Sequence, residues 1–205
     1  MKLIYIMDPL CGWCYGNSTN TLKIFNEYKD KIDFEVLPGG MWIDENTRNQ
    51  SKQMASYFQK HDLQIEELTG TKFGDAYFEF IQNDKIVLDS EIPSRAIIAV
   101  QELWKEKTIP FTVAIQKARY FSGKDLNLEE TYIEIIKELN LDQDLFLKLF
   151  NSKEIKTKTR LTFVRAKNYA VSFPTLLLEA NDDLYLIEQG YSTYETITSK
   201  INTIL

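Results

Sequence analysis

The two cysteines of this chain, Cys11 and Cys14, are three positions apart in the stretch DPLCGWCYG, directly after a short apolar segment. That segment, KLIYIM, predicts a buried strand over Lys2–Met7. Asp8-Pro9 ends the strand, because proline lacks an N–H and restrains the residue before it. Apolar residues at helical spacing then predict a helix over 11–30. The cysteine pair is therefore expected where a strand passes into a helix.

Further strands are predicted on both sides of a long middle segment. Ile32–Gly40 alternates like a strand and ends at Pro-Gly-Gly, which gives a strand-helix-strand unit with a right-handed crossover. Near the other end, Phe173–Glu179 and Leu184–Gly190 predict a hairpin around the turn at 181–183. A final helix places Tyr194, Ile197, Ile201 and Leu205 on one face.

The middle of the chain is predicted to be mainly helical, with about five short amphipathic helices in sequence. The order is then β-α-β, helices, β-β-α. This order predicts an α/β fold in which residues 1–40 and 170–205 form one domain and residues 41–169 form a helical insertion.

Composition narrows the class of protein. A net charge of -6 argues against nucleic acid as the main partner, and no apolar run is long enough to cross a membrane. The opening apolar segment is too short for the core of a signal peptide. We therefore expect a cytoplasmic protein. Six basic residues form a cluster near the end of the middle segment: Lys153, Lys156, Lys158, Arg160, Arg165 and Lys167. This cluster is either a solvated helix face or a binding patch for an anionic partner.

The cysteine pair has three physically reasonable uses. A structural zinc site needs about four ligands, and His61 is the only histidine, so a metal is disfavoured. A structural disulfide would close a very short loop and belongs to small secreted domains. A redox-active dithiol remains the leading interpretation for a CxxC beside strand-helix units.

The predicted position of the pair assigns a role to each thiol. Cys11 comes at the start of the helix, where unpaired N–H groups and the helix dipole favour a thiolate. It is therefore the expected nucleophile. Cys14 lies about one turn further on and can attack a mixed disulfide formed at Cys11.

Three further residues have alternative interpretations. Asp8 moves protons for Cys14, or raises the pKa of nearby thiols through its charge, or only makes the strand-to-helix turn. Trp13 either offers an apolar face to a substrate or packs against the insertion. His61 lies in the polar stretch KHDLQ and is expected to be an exposed side chain outside any site.

Four motifs together resemble the DsbA-type thioredoxin-fold oxidoreductases, in particular their cytoplasmic FrnE-like branch. The motifs are DPLCGWCYG, GG-M-W at Gly39–Trp42, PSRAIIA at Pro93–Ala99 and SFPT at Ser172–Thr175. The resemblance covers essentially the whole chain and implies a thioredoxin-like fold interrupted by a helical insertion.

The resemblance also implies roles for individual residues. Cys11 matches the attacking cysteine, Cys14 the resolving one, and Pro174 the cis-proline that faces the dithiol. Ser172 and Phe173, which precede this proline, would bind substrate together with Trp13. No cofactor or metal is implied, and the partner would be a disulfide-containing protein or a small thiol such as glutathione.

Two other functions stay open. One is a glutathione-dependent enzyme on the same scaffold, similar to kappa-class transferases and hydroxychromene-carboxylate isomerases, although those typically use a serine. The other is an adaptor in which the insertion recognises a partner and the dithiol is a redox switch.

Overall fold

The structure, a computed structural model, describes all 205 residues. Its strands are β1 (Lys2–Met7), β2 (Asp33–Pro38), β3 (Arg48–Asn49), β4 (Val87–Leu88), β5 (Thr175–Ala180) and β6 (Asp183–Gln189). Its helices are α1 (Gly12–Gly16), α2 (Ser18–Tyr28), α3 (Lys52–Thr69), α4 (Asp75–Phe80), α5 (Glu91–Leu103), α6 (Thr108–Tyr120), α7 (Glu129–Glu138), α8 (Gln143–Phe150), α9 (Lys153–Tyr169) and α10 (Tyr194–Ile204).

The main sheet has the strand order β2-β1-β5-β6. β1 pairs with β2 in parallel and with β5 antiparallel, so the segment KLIYIM is an inner strand. β5 and β6 form the predicted hairpin. Its turn residues Asn181 and Asp182 have positive φ angles of 54° and 65°, which suits a two-residue hairpin connection. The predicted α/β, thioredoxin-like fold is confirmed.

Both faces of β1 are covered, which explains why this strand is a continuous apolar run. Leu3, Tyr5 and Met7 belong to the largest core cluster, on the face covered by α5 and α6 among others. Ile4 and Ile6 belong to a second cluster on the opposite face, which Ala166 of α9 joins.

The helix predicted over 11–30 is in fact two helices, α1 and α2, that meet at Asn17. This residue is at once the C-cap of α1 and the N-cap of α2. Its side-chain amide donates a 2.8 Å hydrogen bond to the buried Glu188 of β6. The period of the apolar residues continues across the break, so the pattern alone did not indicate it.

Seven helices and the small β3–β4 sheet lie between β2 and β5. The sequence predicted about five helices there and missed the two short strands. The basic cluster lies on α9, and half of its members are paired with acids: Lys158 with Glu102, Arg160 with Asp44 and Arg165 with Glu35. Among the helices, none combines the length and apolar character that a membrane crossing requires.

Candidate active site

The two cysteines lie at the point where β1 leads into α1, and both thiols are free. Cys11 is the N-cap of α1, with an extended backbone, and its N–H donates to the carbonyl of Asp8 at 3.1 Å. Cys14 lies on the first turn and is fully buried, whereas 9% of Cys11 is exposed. Of the two cysteines, only Cys11 therefore has any surface open to solvent.

Burial raises the pKa of the Cys14 thiol well above its usual value. The neighbouring Cys11 raises this pKa further, and a hydrogen bond from the backbone of Asp8 acts in the opposite direction. The reduced protein therefore keeps Cys14 as a neutral thiol, which has to lose a proton before it can act as a nucleophile.

The loop before β5 faces the dithiol. Its Phe173–Pro174 peptide bond is cis, as the resemblance implies. The thiol of Cys11 donates to the carbonyl oxygen of Phe173 at 3.9 Å. Ser172 lies at the edge of this loop, where its hydroxyl accepts a hydrogen bond from Gln189 at 3.0 Å. The structure thus brings Cys11 and the cis-proline loop together, although they are far apart in sequence.

Asp8 is completely buried beneath the pair. Its Oδ1 accepts hydrogen bonds from the N–H of Leu10 and the hydroxyl of Ser90, both at 2.9 Å, and its Oδ2 accepts one from the N–H of Met41 at 2.7 Å. Burial raises the pKa of the Asp8 carboxyl, while these hydrogen bonds act against that rise. Asp8 therefore makes the turn after β1 and also joins it to the loop after β2 and to α5.

Cys11 lines a cavity of about 510 Å³, whose other lining residues come from the start of α1, the loop after β2 and the helical segment. Twelve of its seventeen lining residues are hydrophobic. Trp13 lines it with 37% of its surface exposed. His61 was expected to be an exposed side chain outside any site, and this is wrong: it is half-buried in the cavity wall, and its ring centre lies 4.2 Å from that of Tyr57, with the two rings tilted. No group of three or more His, Cys, Asp or Glu side chains is arranged to hold a metal ion.

Polar residues that the sequence analysis missed line the same cavity. Asp62 of α3 accepts a 2.7 Å hydrogen bond from the hydroxyl of Tyr77, and burial raises its pKa to about 7. A Cβ at Gly12 would lie 2.5 Å from Oδ1 of Asp62, so glycine there permits α3 to approach α1 closely. Arg119 of α6 is 4% exposed.

A sequence signal for these residues did exist. Asp62 is in phase with Ala55 and Ile65 on the buried stripe of α3, and Arg119 follows Ile115 by four residues on α6. Charged residues on the apolar face of a helix are the exception in folded proteins. For Asp62, the polar stretch KHDLQ around it concealed this phase.

Replacing Gly39 with alanine tests how the loop is held against the dithiol. A Cβ there would lie 1.9 Å from Cζ of Phe173, so the ring would have to move and take its backbone with it. We expect Gly39→Ala to lower the free energy of unfolding by about 1–3 kcal/mol, measured with urea. Adding Phe173→Leu should recover part of this loss, because it removes the clashing ring atoms. Strictly additive effects of the two substitutions would contradict the expectation.

An accessible thiol at a helix start, a buried partner thiol one turn away and a facing cis-proline loop together define a thiol-disulfide oxidoreductase of the thioredoxin fold. The family model described as Thioredoxin matches residues 4–198. The chain therefore belongs to the thioredoxin family.

Solved structures show the same relationship. A candidate protein disulfide isomerase from Nitrosomonas europaea is 28% identical, with a TM-score of 0.87 over 98% of this chain and 96% of that one. The cytosolic disulfide reductase DsbM from Pseudomonas aeruginosa is also 28% identical, with a TM-score of 0.84 over 99% and 98% of the two chains. DsbM has also been solved with glutathione.

A 2-hydroxychromene-2-carboxylate isomerase matches with a TM-score of 0.64 over 99% of this chain and 94% of that chain. At 12% identity this likeness shows the fold alone. No curated protein matches the chain.

Proposed function

We propose that this protein is a cytoplasmic oxidoreductase that reduces or isomerises disulfides through Cys11 and Cys14. The observation that carries the proposal is the difference in access between the two thiols. Cys11 lines a cavity and contacts the cis-proline loop, and Cys14 is completely enclosed one turn away. The cytosolic DsbM supports both the reaction and the compartment.

The first step is attack on the substrate. The thiolate of Cys11 attacks one sulfur of the substrate disulfide, so that a Cys11–substrate S–S bond forms as the substrate bond breaks. The other half of the substrate leaves as a thiolate and takes a proton from water. Trp13 lines the cavity beside Cys11, the carbonyl of Phe173 accepts a hydrogen bond from the Cys11 thiol, and Ser172 directly precedes Phe173; these three residues would contact the bound substrate.

The second step is resolution by Cys14. Its thiolate attacks Sγ of Cys11, the Cys11–Cys14 bond forms, and the remaining half of the substrate leaves. Because burial raises the pKa of Cys14, its proton has to be taken up as it attacks. Asp8, buried beside it, would pass that proton on to the departing thiolate. The substrate has then gained two electrons and two protons, which the dithiol has lost.

A small thiol such as glutathione would return the dithiol to its reduced form. The structure of the relative DsbM with glutathione supports a thiol of this kind as partner. A protein disulfide is the other candidate substrate, and it would have to reach Cys11 past Trp13 at the cavity entrance.

Trapping of the mixed disulfide tests the assignment of the two thiols. With glutathione disulfide, Cys14→Ser should accumulate one glutathionyl group on Cys11, because the resolving nucleophile is gone, whereas the wild type should accumulate none. Intact-protein and peptide mass spectrometry measure both the adduct and its position. Cys11→Ser is the matched control and should form no adduct, since Cys14 is enclosed. If Cys11→Ser forms an adduct on Cys14 as fast as Cys14→Ser forms one on Cys11, the proposal is overturned.

A glutathione-dependent transferase or isomerase is the second candidate. The cavity beside Cys11 favours it, because it is large enough for a small molecule that does not contain a disulfide. In that case glutathione would bind tightly to Cys14→Ser without forming a disulfide, and calorimetry would detect this binding.

A further inference from the structure

The cavity beside Cys11 has a specific polar pattern inside a mostly apolar wall. Its buried polar groups are the side chains of Asp62 and Arg119 and the hydroxyls of Tyr77 and Tyr120, which come from three different helices. At about 510 Å³ it falls within the usual range of roughly 300–1,000 Å³ for small-molecule sites. A few polar groups placed in such a wall normally fix the orientation of a ligand.

Arg119 differs from the other arginines of the chain. Arg95, Arg160 and Arg165 each form an ion pair with an acid, and Arg48 is exposed and donates to Asn46. Arg119 forms no ion pair, and its buried Nε has no hydrogen-bond partner. Its guanidinium lies 5.4–5.9 Å from the centres of three aromatic rings, those of Phe80, Tyr120 and Tyr77.

These rings compensate the charge of Arg119 only in part. Cation–π contacts are weaker than a charge-assisted hydrogen bond to a carboxylate, and burying a charge without such a partner is costly. The one carboxyl group in the lining of the cavity is that of Asp62, whose Oδ2 already accepts a hydrogen bond from Tyr77. Because burial raises the pKa of Asp62 to about 7, this group is only partly ionised at neutral pH. The cavity therefore has an excess of positive charge at Arg119.

We propose that this cavity binds low-molecular-weight disulfides that carry a carboxylate, and that Arg119 pairs with that carboxylate while a sulfur of the ligand reaches Cys11. The guanidinium fork matches a carboxylate, and the surrounding apolar wall strengthens the pairing by excluding water. The limited exposure of Cys11 at this wall agrees with a small substrate rather than a bulky one.

This inference rests on the proposed function and names its substrate class, so the experiment separates the two. Reduced protein is mixed with dithiodipropionate, which has two carboxylates, or with hydroxyethyl disulfide, which has no charge. Quenching by alkylation and mass spectrometry give the rate constant for oxidation of the protein. Each rate constant is divided by the rate constant for the reaction of the same disulfide with free dithiothreitol. This ratio corrects for the different intrinsic reactivities of the two disulfides.

We expect the wild type to prefer dithiodipropionate by at least about tenfold after this correction. Arg119→Gln should abolish the preference by lowering the corrected rate with dithiodipropionate much more than the rate with hydroxyethyl disulfide, and Arg119→Lys should retain part of the preference. Arg48→Gln removes the same charge from the rim of the cavity and controls for long-range attraction.

The inference is overturned if the wild type shows no preference, if Arg48→Gln removes the preference as fully as Arg119→Gln does, or if Arg119→Gln slows both disulfides equally. The comparison of the two disulfides in the wild type decides the matter even where Arg119→Gln does not fold. If the reduced wild type reacts with neither disulfide faster than dithiothreitol does, the proposed function itself fails.

Discussion

Replacing Cys11 with serine should reduce the steady-state kcat/KM for glutathione disulfide by at least about 10³-fold. A serine oxygen cannot form the disulfide that links enzyme and substrate, and the buried Cys14 cannot take over the attack. The rate is measured as glutathione released per enzyme, with dithiothreitol as the final reductant and its direct reaction subtracted.

The fold should survive this substitution. Cys11 is the N-cap of α1 and makes no side-chain capping hydrogen bond, while serine is among the preferred residues at that position. The free energy of unfolding of Cys11→Ser should therefore equal or slightly exceed that of the wild type. Activity that persists in a variant of unchanged stability would rule out Cys11 as the nucleophile.

Asp62 should make the stability of the protein fall as the pH rises from about 4 to about 7. Burial raises its pKa in the folded protein from 3.8 to about 7. The folded state therefore holds a proton that the unfolded state has already lost over this range, and its advantage disappears as the pH rises. The change amounts to about 4 kcal/mol for a shift of this size.

Asp62→Asn should remove this part of the pH dependence. Urea unfolding at several pH values should show the variant gaining up to about 4 kcal/mol relative to the wild type between pH 4 and pH 8. The amide oxygen of asparagine can still accept the hydrogen bond from Tyr77. Glu67→Gln, an exposed position on the same helix, is the matched control and should leave the slope unchanged. A difference between Asp62→Asn and wild type that does not vary with pH would contradict the expectation.

Local patterns were sufficient to predict the framework of the sheet. β1 was predicted with the bounds Lys2–Met7 that the structure has, because a short apolar run next to Asp-Pro has one favourable arrangement. The β5–β6 hairpin was predicted from its turn residues, which tolerate positive φ angles. The helix break at Asn17 was not predicted; the side chain of Asn17 contacts Glu188, which is far along the chain, and no local pattern indicates that contact.

The sequence by itself determined the cysteine pair, its position after a strand and the family to which the chain belongs, because these depend on short motifs of residues that are neighbours along the chain. The cavity beside Cys11 was decided by the tertiary structure, which brings Asp62, Tyr77 and Arg119 together from three helices. A charged side chain on an amphipathic helix has the same local pattern whether it meets solvent or a cavity. Only the packing of the other helices removes water from around it, and this removal gives the side chain its altered pKa or its unpaired charge.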